Sequence, residues 1–325
     1  DKLACRPGIL FVSYPSVTFS VRFKLHFFTK MGCGASTLPV SDIGRVGSSG
    51  KSNAMVSGSN RIESSFYVQT INHKAPMIRL DHCEEPKMIP IKGTTYEMNL
   101  KIVYVSQRGF YPSDPNKANQ DSYLICESLL GDRSCNMFGI FDGHGTYGDL
   151  CAYYAADEMP KHLVKGMNKN GGLTSLDGDS ANEIYSKAFT ETDKCLHNNH
   201  GIDDSLSGTT GVTILQKGDR LLVANVGDSR AIIASMVDGK LQYSPLSNDQ
   251  TPYRKDERER LKKAGAKIMT IDQVEGNEPI HENFGMQLGN EIDEGGDPPR
   301  VWDATLEKPG CAFSRSIGDN VAKKV

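Results

Sequence analysis

The chain has 325 residues, 38% of them hydrophobic and 24% charged, with a formal net charge of −3. That length allows one large domain or two small ones with tails, and the near-neutral balance gives no electrostatic pull toward nucleic acid, so none is expected as a partner. Eight cysteines, at positions 5, 33, 83, 126, 135, 151, 195 and 311, form no CxxC pair; this scatter fits reduced intracellular thiols rather than a disulfide framework or a zinc site.

Residues 1–30 read as leader sequence upstream of the true start. The apolar run at 9–21 ends at Arg22 and Lys24, short of the about 18 uncharged residues a spanning helix needs. A clipped signal peptide is the other reading of that run. Residues 31–97 read as a flexible tail, with 32–65 rich in Ser, Gly and Asn. Met31 opens Met-Gly-Cys-Gly-Ala-Ser, which fits the acylation pattern M-G-x-x-x-[ST]. If Met31 is the initiator, Gly32 accepts a myristoyl chain and Cys33 a palmitoyl chain. Two such anchors are what stable peripheral membrane attachment requires. The bland reading is a chance Gly/Ser-rich tail, with the protein intracellular and cytoplasmic.

Patterned sequence runs from 98 to 325. Leu100, Ile102 and Tyr104 alternate along a strand, and SYLIC (122–126) and MFGIF (137–141) are two more. Residues 147–165 read as a helix that Pro160 threatens to break. Ser180 and Glu183 match a capping box. It opens a helix whose Ile184, Ala188, Cys195 and Leu196 face a core, with Gly201 as its stop. Residues 209–243 read as an antiparallel meander of short strands separated by Gly/Asp turns. Thr251-Pro252 starts a charged helix ending at Gly265, and 271–300 reads as a polar surface insertion. Strands grouped apart from helices indicate an α+β class.

The sharpest chemical feature is Phe141-Asp142-Gly143-His144-Gly145, directly after an apolar strand. A strand end holds a carboxylate rigidly, and Gly143 lets its carbonyl approach a hard cation. His144 suits proton transfer near neutral pH. Read alone, the pentapeptide is an ordinary Asp-Gly turn. Asn119-Gln120-Asp121, Ser207-Gly208-Thr209-Thr210 and Val226-Gly227-Asp228-Ser229-Arg230 likewise read singly as a strand cap, a strand start and a hairpin turn.

Together with Thr251-Pro252 and Ser314-Arg315-Ser316-Ile317-Gly318-Asp319, these segments form an ordered series that resembles the motifs of the metal-dependent type-2C (PPM) protein phosphatases. The resemblance covers about residues 98–325. The stretches Asp297–Trp302 and Pro309–Phe313 are similar to a subgroup in which a phosphatase domain with an N-terminal Met-Gly-Cys is followed by cyclic-nucleotide-binding and kinase domains. It implies two stacked antiparallel β-sheets flanked by helices, and hydrolysis of phosphoserine and phosphothreonine in phosphoprotein substrates. It also implies two divalent ions, Mg²⁺ or Mn²⁺, with a weaker third.

Residue by residue, Asp142 matches the carboxylate shared by the ions and Gly143 the carbonyl ligand. Asp121 matches the acidic residue supporting metal-bound water, Asp228 the ligand of the third ion, and His144 the general acid. Lys117 and Arg108 both remain open as the basic residue that clamps the substrate phosphate. Gln120 stands where many members carry Glu. The chain stops before two further carboxylate segments of the family pattern, so the expectation is a C-terminally truncated domain, inactive alone and active when complete. A phosphatase-like regulatory domain and a lipid-anchored adaptor are the rival readings.

Overall fold

A computed structural model describes residues 117–176, 180–238, 240–284 and 297–324, and, before them, strand backbone lying between positions 8 and 106. Of those earlier strands, Glu97–Ser106 (β1) carries the buried Leu100 and Ile102. Gly8–Tyr14 runs antiparallel to β1, and Ser65–Val68 runs antiparallel to Asp121–Glu127 (β2).

The principal sheet is antiparallel. Cys135–His144 (β3) pairs with β2 on one side. On its other side it pairs with Gly208–Thr209 (β4) and Gly211–Lys217 (β5). Arg220–Val226 (β6) extends the sheet from β5. Side chains alternate between faces of a strand, and the burial follows that period. Leu124, Cys126, Met137, Phe141 and Leu215 pack on one side, against helices Gly148–Lys169 (α1) and Ser180–His197 (α2). Tyr123, Ile125, Phe138, Ile140, Val212 and Ile214 pack on the other, with Leu100, Ile102 and Ala231. The result is helices, sheet and second strand layer, stacked around two apolar cores. Each fully buried side chain of this size contributes about 1.5–3 kcal/mol.

The second layer contains Arg230–Val237 (β7) and Lys240–Pro245 (β8), paired with each other. The expected meander is therefore divided. β5 and β6 belong to one sheet, β7 and β8 to another, and Gly227–Ser229 crosses between layers instead of closing a hairpin. Strand period and turn chemistry are local, whereas the choice of partner is decided by which face each strand must bury.

In α1, Pro160 does not break the helix. An interior proline costs about 3 kcal/mol, and the buried stripe Cys151, Ala152, Ala155, Met159, Leu163 and Met167 offsets it. In α2, Ile184, Ala188 and Leu196 are buried as expected, but Cys195 is only half-buried. Its stripe turns instead through Tyr185, Phe189 and Thr192, and the helix ends at His197, before Gly201. The charged helix spans Lys255–Ala264 (α3), four residues after Thr251, with Gly265 closing it at φ 106°. It packs on a small sheet of Lys267–Met269 (β9), Arg300–Trp302 (β10) and Pro309–Cys311 (β11). A short helix, Ile271–Val274 (α4), is held by a Thr270–Gln273 capping box inside the segment read as an insertion. Among the described residues no helix is long and apolar enough to cross a membrane, and the five described cysteines are free.

Candidate active site

Asp121 and Asp142 stand directly opposite each other across β2 and β3. The two-residue period puts Asp121 on the face of Tyr123 and Ile125, and Asp142 on the face of Phe138 and Ile140. Both carboxylates therefore lie at the end of the core between the layers. The crossover that carries Asp228 from one layer to the other reaches the same edge, so Asp142 and Asp249 act electrostatically on Asp228.

Backbone and hydroxyl contacts fix this edge. Thr210 N–H donates to the Asp142 carbonyl (2.9 Å), and the Thr210 hydroxyl accepts from Asp142 N–H (3.0 Å). That hydroxyl also lies 2.6 Å from Ser229 Oγ, so one threonine joins the Asp142 strand to the crossover. Gly227 adopts φ +100°, and a Cβ there would lie 2.7 Å from Thr210 Cγ2. The Gln250 side chain accepts from Gly227 N–H (2.8 Å) and donates to the Asn225 carbonyl (3.1 Å). Arg230 grips Asp249 through two bonds of 2.7 and 2.6 Å.

Gly143 donates its N–H to the Gln120 carbonyl (3.1 Å). A Cβ at residue 143 would stand 2.5 Å from that oxygen and still closer to the Gly148 carbonyl oxygen, so the backbone there tolerates no side chain. Gln120 donates its amide to the Gly145 carbonyl (2.6 Å), a bond an ionised glutamate cannot make. His144 presents Nε2 to Asp319 Oδ2 at 2.6 Å, its ring tilted against Phe313 at 4.4 Å between centroids.

The structure thus brings Asp121, Asp142, Gly143, His144 and Asp228 to one edge. Lys117 is half-buried on the approach to β2. Arg108, Gly32 and Cys33 lie outside the described residues. Motif reading assigned no role to Asp319, Thr210 or Gln250. Asp319 closes a recognised motif, but no spacing rule links it to His144, 175 residues away.

Residues 115–325 match the protein phosphatase 2C family. The chain belongs to that family. It is 42% identical over 230 residues to "Probable protein phosphatase 2C 35" of Arabidopsis thaliana, covering 70% of this chain and 62% of that protein. It is 29% identical to "Probable protein phosphatase 2C 73" of Oryza sativa subsp. japonica, covering 62% of this chain and 49% of that protein. It therefore spans about half to three fifths of these relatives' length. The solved serine-threonine phosphatase 2C from Toxoplasma gondii matches 77% of the chain and 74% of its own at 16% identity and a TM-score of 0.49.

Protein phosphatases 2C are metal-dependent, and the donors at this edge suit a hard cation. Asp121, Asp142, Asp228 and the Gly143 carbonyl offer oxygen alone. Among the described residues no three His, Cys, Asp or Glu side chains form a cage. Magnesium-like ions keep several waters and are commonly held by one or two carboxylates, so an open arrangement fits them. Burial, then the charges of Asp142 and Asp249, push the Asp228 carboxyl from 3.8 up to about 7. A divalent cation inverts such a penalty.

Proposed function

We propose that the protein is a metal-dependent serine/threonine phosphatase that hydrolyses phosphoserine and phosphothreonine in other proteins with water. The observation that carries this reading is the facing pair Asp121 and Asp142 at the edge where the Asp228 crossover passes between layers. Asp142 and the Gly143 carbonyl would hold two ions, Mg²⁺ or Mn²⁺, with Asp121 supporting their water and Asp228 serving a third. When bound, such ions neutralise phosphoryl oxygens and supply a nucleophilic water at neutral pH.

The chain's own groups divide the remaining work. His144 protonates the departing seryl or threonyl oxygen. Lys117 supplies a point charge to the substrate phosphate, with Arg108 the other candidate. No phosphoenzyme is needed. Ser229 is buried with its hydroxyl against that of Thr210 (2.6 Å), and the buried Ser207 hydroxyl accepts from Tyr147 N–H (3.1 Å), so both hydroxyls already have partners within the frame of the site.

The test is phosphate release from a phosphothreonine peptide by the full-length protein saturated with manganese. Asp142→Asn should lose both activity and metal affinity. His144→Ala should lower turnover about 10²-fold or more and keep its metal. Equal loss of metal affinity in both variants would remove His144 from the acid role.

A further inference from the structure

The His144–Asp319 contact joins segments 175 residues apart. The Asp319 side chain is only 3% exposed, and that of His144 is 24% exposed. The residue adopts φ +53°, a left-handed conformation that Asp and Asn tolerate better than most. Its backbone is anchored on both sides. Asp319 N–H donates to the Ser207 carbonyl (2.9 Å), and Gly318 N–H donates to Asp193 Oδ1 of α2 (2.9 Å). Gly318 and Ile317 also pair with β4, which pairs in turn with His144 and Gly143. A buried carboxylate is thus built into the frame of the sheet and aimed at one ring nitrogen.

We propose that Asp319 is a positioning residue for His144, fixing which ring nitrogen delivers the proton; this deepens the phosphatase reading and rests on it. A carboxylate only accepts, so Nε2 of His144 carries a hydrogen and donates it to Asp319. The proton available for transfer is therefore on Nδ1 of the imidazolium. As the phosphorus–oxygen bond to the substrate breaks, the leaving seryl or threonyl oxygen takes that proton, and the ring is left neutral with its hydrogen on Nε2. Asp319 keeps its negative charge throughout. Phe313 packs on the ring and resists its rotation. The same logic operates wherever a buried carboxylate orients a catalytic imidazole.

The leaving group separates positioning from mere support of the fold. A threonyl alkoxide must be protonated as it departs, whereas p-nitrophenolate leaves without help. In the full-length manganese-loaded protein, Asp319→Asn should lower kcat on a phosphothreonine peptide about 10²-fold with KM little changed, and should leave kcat on p-nitrophenyl phosphate nearly as it was. Asparagine keeps the left-handed backbone and both backbone bonds, and a thermal melt checks the fold. His144→Ala should show the same selectivity, and the double variant should lose no more than either single one.

Proton NMR reads the contact independently of turnover. A strongly deshielded ring N–H of His144 should be present in the wild type and absent from both single variants. Equal losses on the two substrates, no loss, or an N–H signal that survives Asp319→Asn would overturn the proposal. Failure of the wild type to turn over either substrate would instead defeat the phosphatase reading, whatever the N–H signal shows.

Discussion

Gln120 is 6% exposed and spends its amide on the Gly145 carbonyl at 2.6 Å, across the loop that carries His144. A glutamate there cannot donate when ionised, and it would add a charge beside Asp121 and Asp142. Gln120→Glu should therefore destabilise the metal-free protein by about 1–3 kcal/mol, measured by urea unfolding at neutral pH. The loss should shrink when Mn²⁺ is added, because the new carboxylate then has a cation near it. An unchanged metal-free unfolding curve would mean that the amide bond contributes nothing. The residue types at this edge were readable from the chain: acids at strand ends, a glycine where backbone crowds, a histidine beside them. The amide's particular task was not, because it depends on a carbonyl 25 residues away.

At the scale of elements, α3 is tied to the segment that leads to Asp319. Glu257 accepts from Arg315 (2.8 and 3.0 Å), from Arg260 (2.8 Å) and from Ser314 (2.5 Å). Burial alone would raise its carboxyl, but the bonds from Arg315, Arg260 and Ser314 outweigh it and hold the group down at about 2 instead of 4.5. A depressed carboxyl contributes stability above its ordinary value and loses it as pH falls toward the folded one. Unfolding free energy should thus drop by about 3 kcal/mol between roughly pH 5 and pH 2 from this group. Glu257→Gln should flatten that limb in acid titrations followed by circular dichroism. A limb of unchanged steepness would place the acid sensitivity elsewhere.

The elements themselves were largely legible. Period-two alternation marked β1, short apolar runs marked β2 and β3, Gly/Asp turns marked off β5, and a helical stripe marked α2. What local pattern could not show was the division of the meander. β6 and β7 look like hairpin partners in sequence, yet each finds its ladder with another strand, because Val212 and Ile214 need a layer to cover them. Gly227-Asp228-Ser229 accordingly became a bridge between layers. Gly227→Ala should be costly for two reasons, its φ of +100° and the 2.7 Å approach to Thr210 Cγ2. A loss of about 1–3 kcal/mol is expected in denaturant melts, larger than for alanine at Gly218, which has open space and a φ of +59°.

For the whole molecule, Asp121, Asp142 and Asp228 reach one edge from both strand layers, so an ion held there links the layers. Without ions the arrangement is self-repelling. The Asp228 carboxyl, pushed from 3.8 up to about 7 by burial and by Asp142 and Asp249, contributes stability to the ion-free protein that is fully present only below its ordinary value. That stability falls as pH rises through about 7. Asp228→Asn should remove this fall and raise the ion-free melting temperature at pH 8. With Mn²⁺ the order should reverse. Ligand bound only by the folded state stabilises by about 2.7 kcal/mol at a hundred times its dissociation constant, worth roughly 5–11 °C at 150–250 residues. The wild type should gain more of this than Asp228→Asn in melts across a manganese titration. Equal gains would mean that Asp228 takes no part in holding an ion, and its charge penalty would then stand as a cost the edge bears for some other reason.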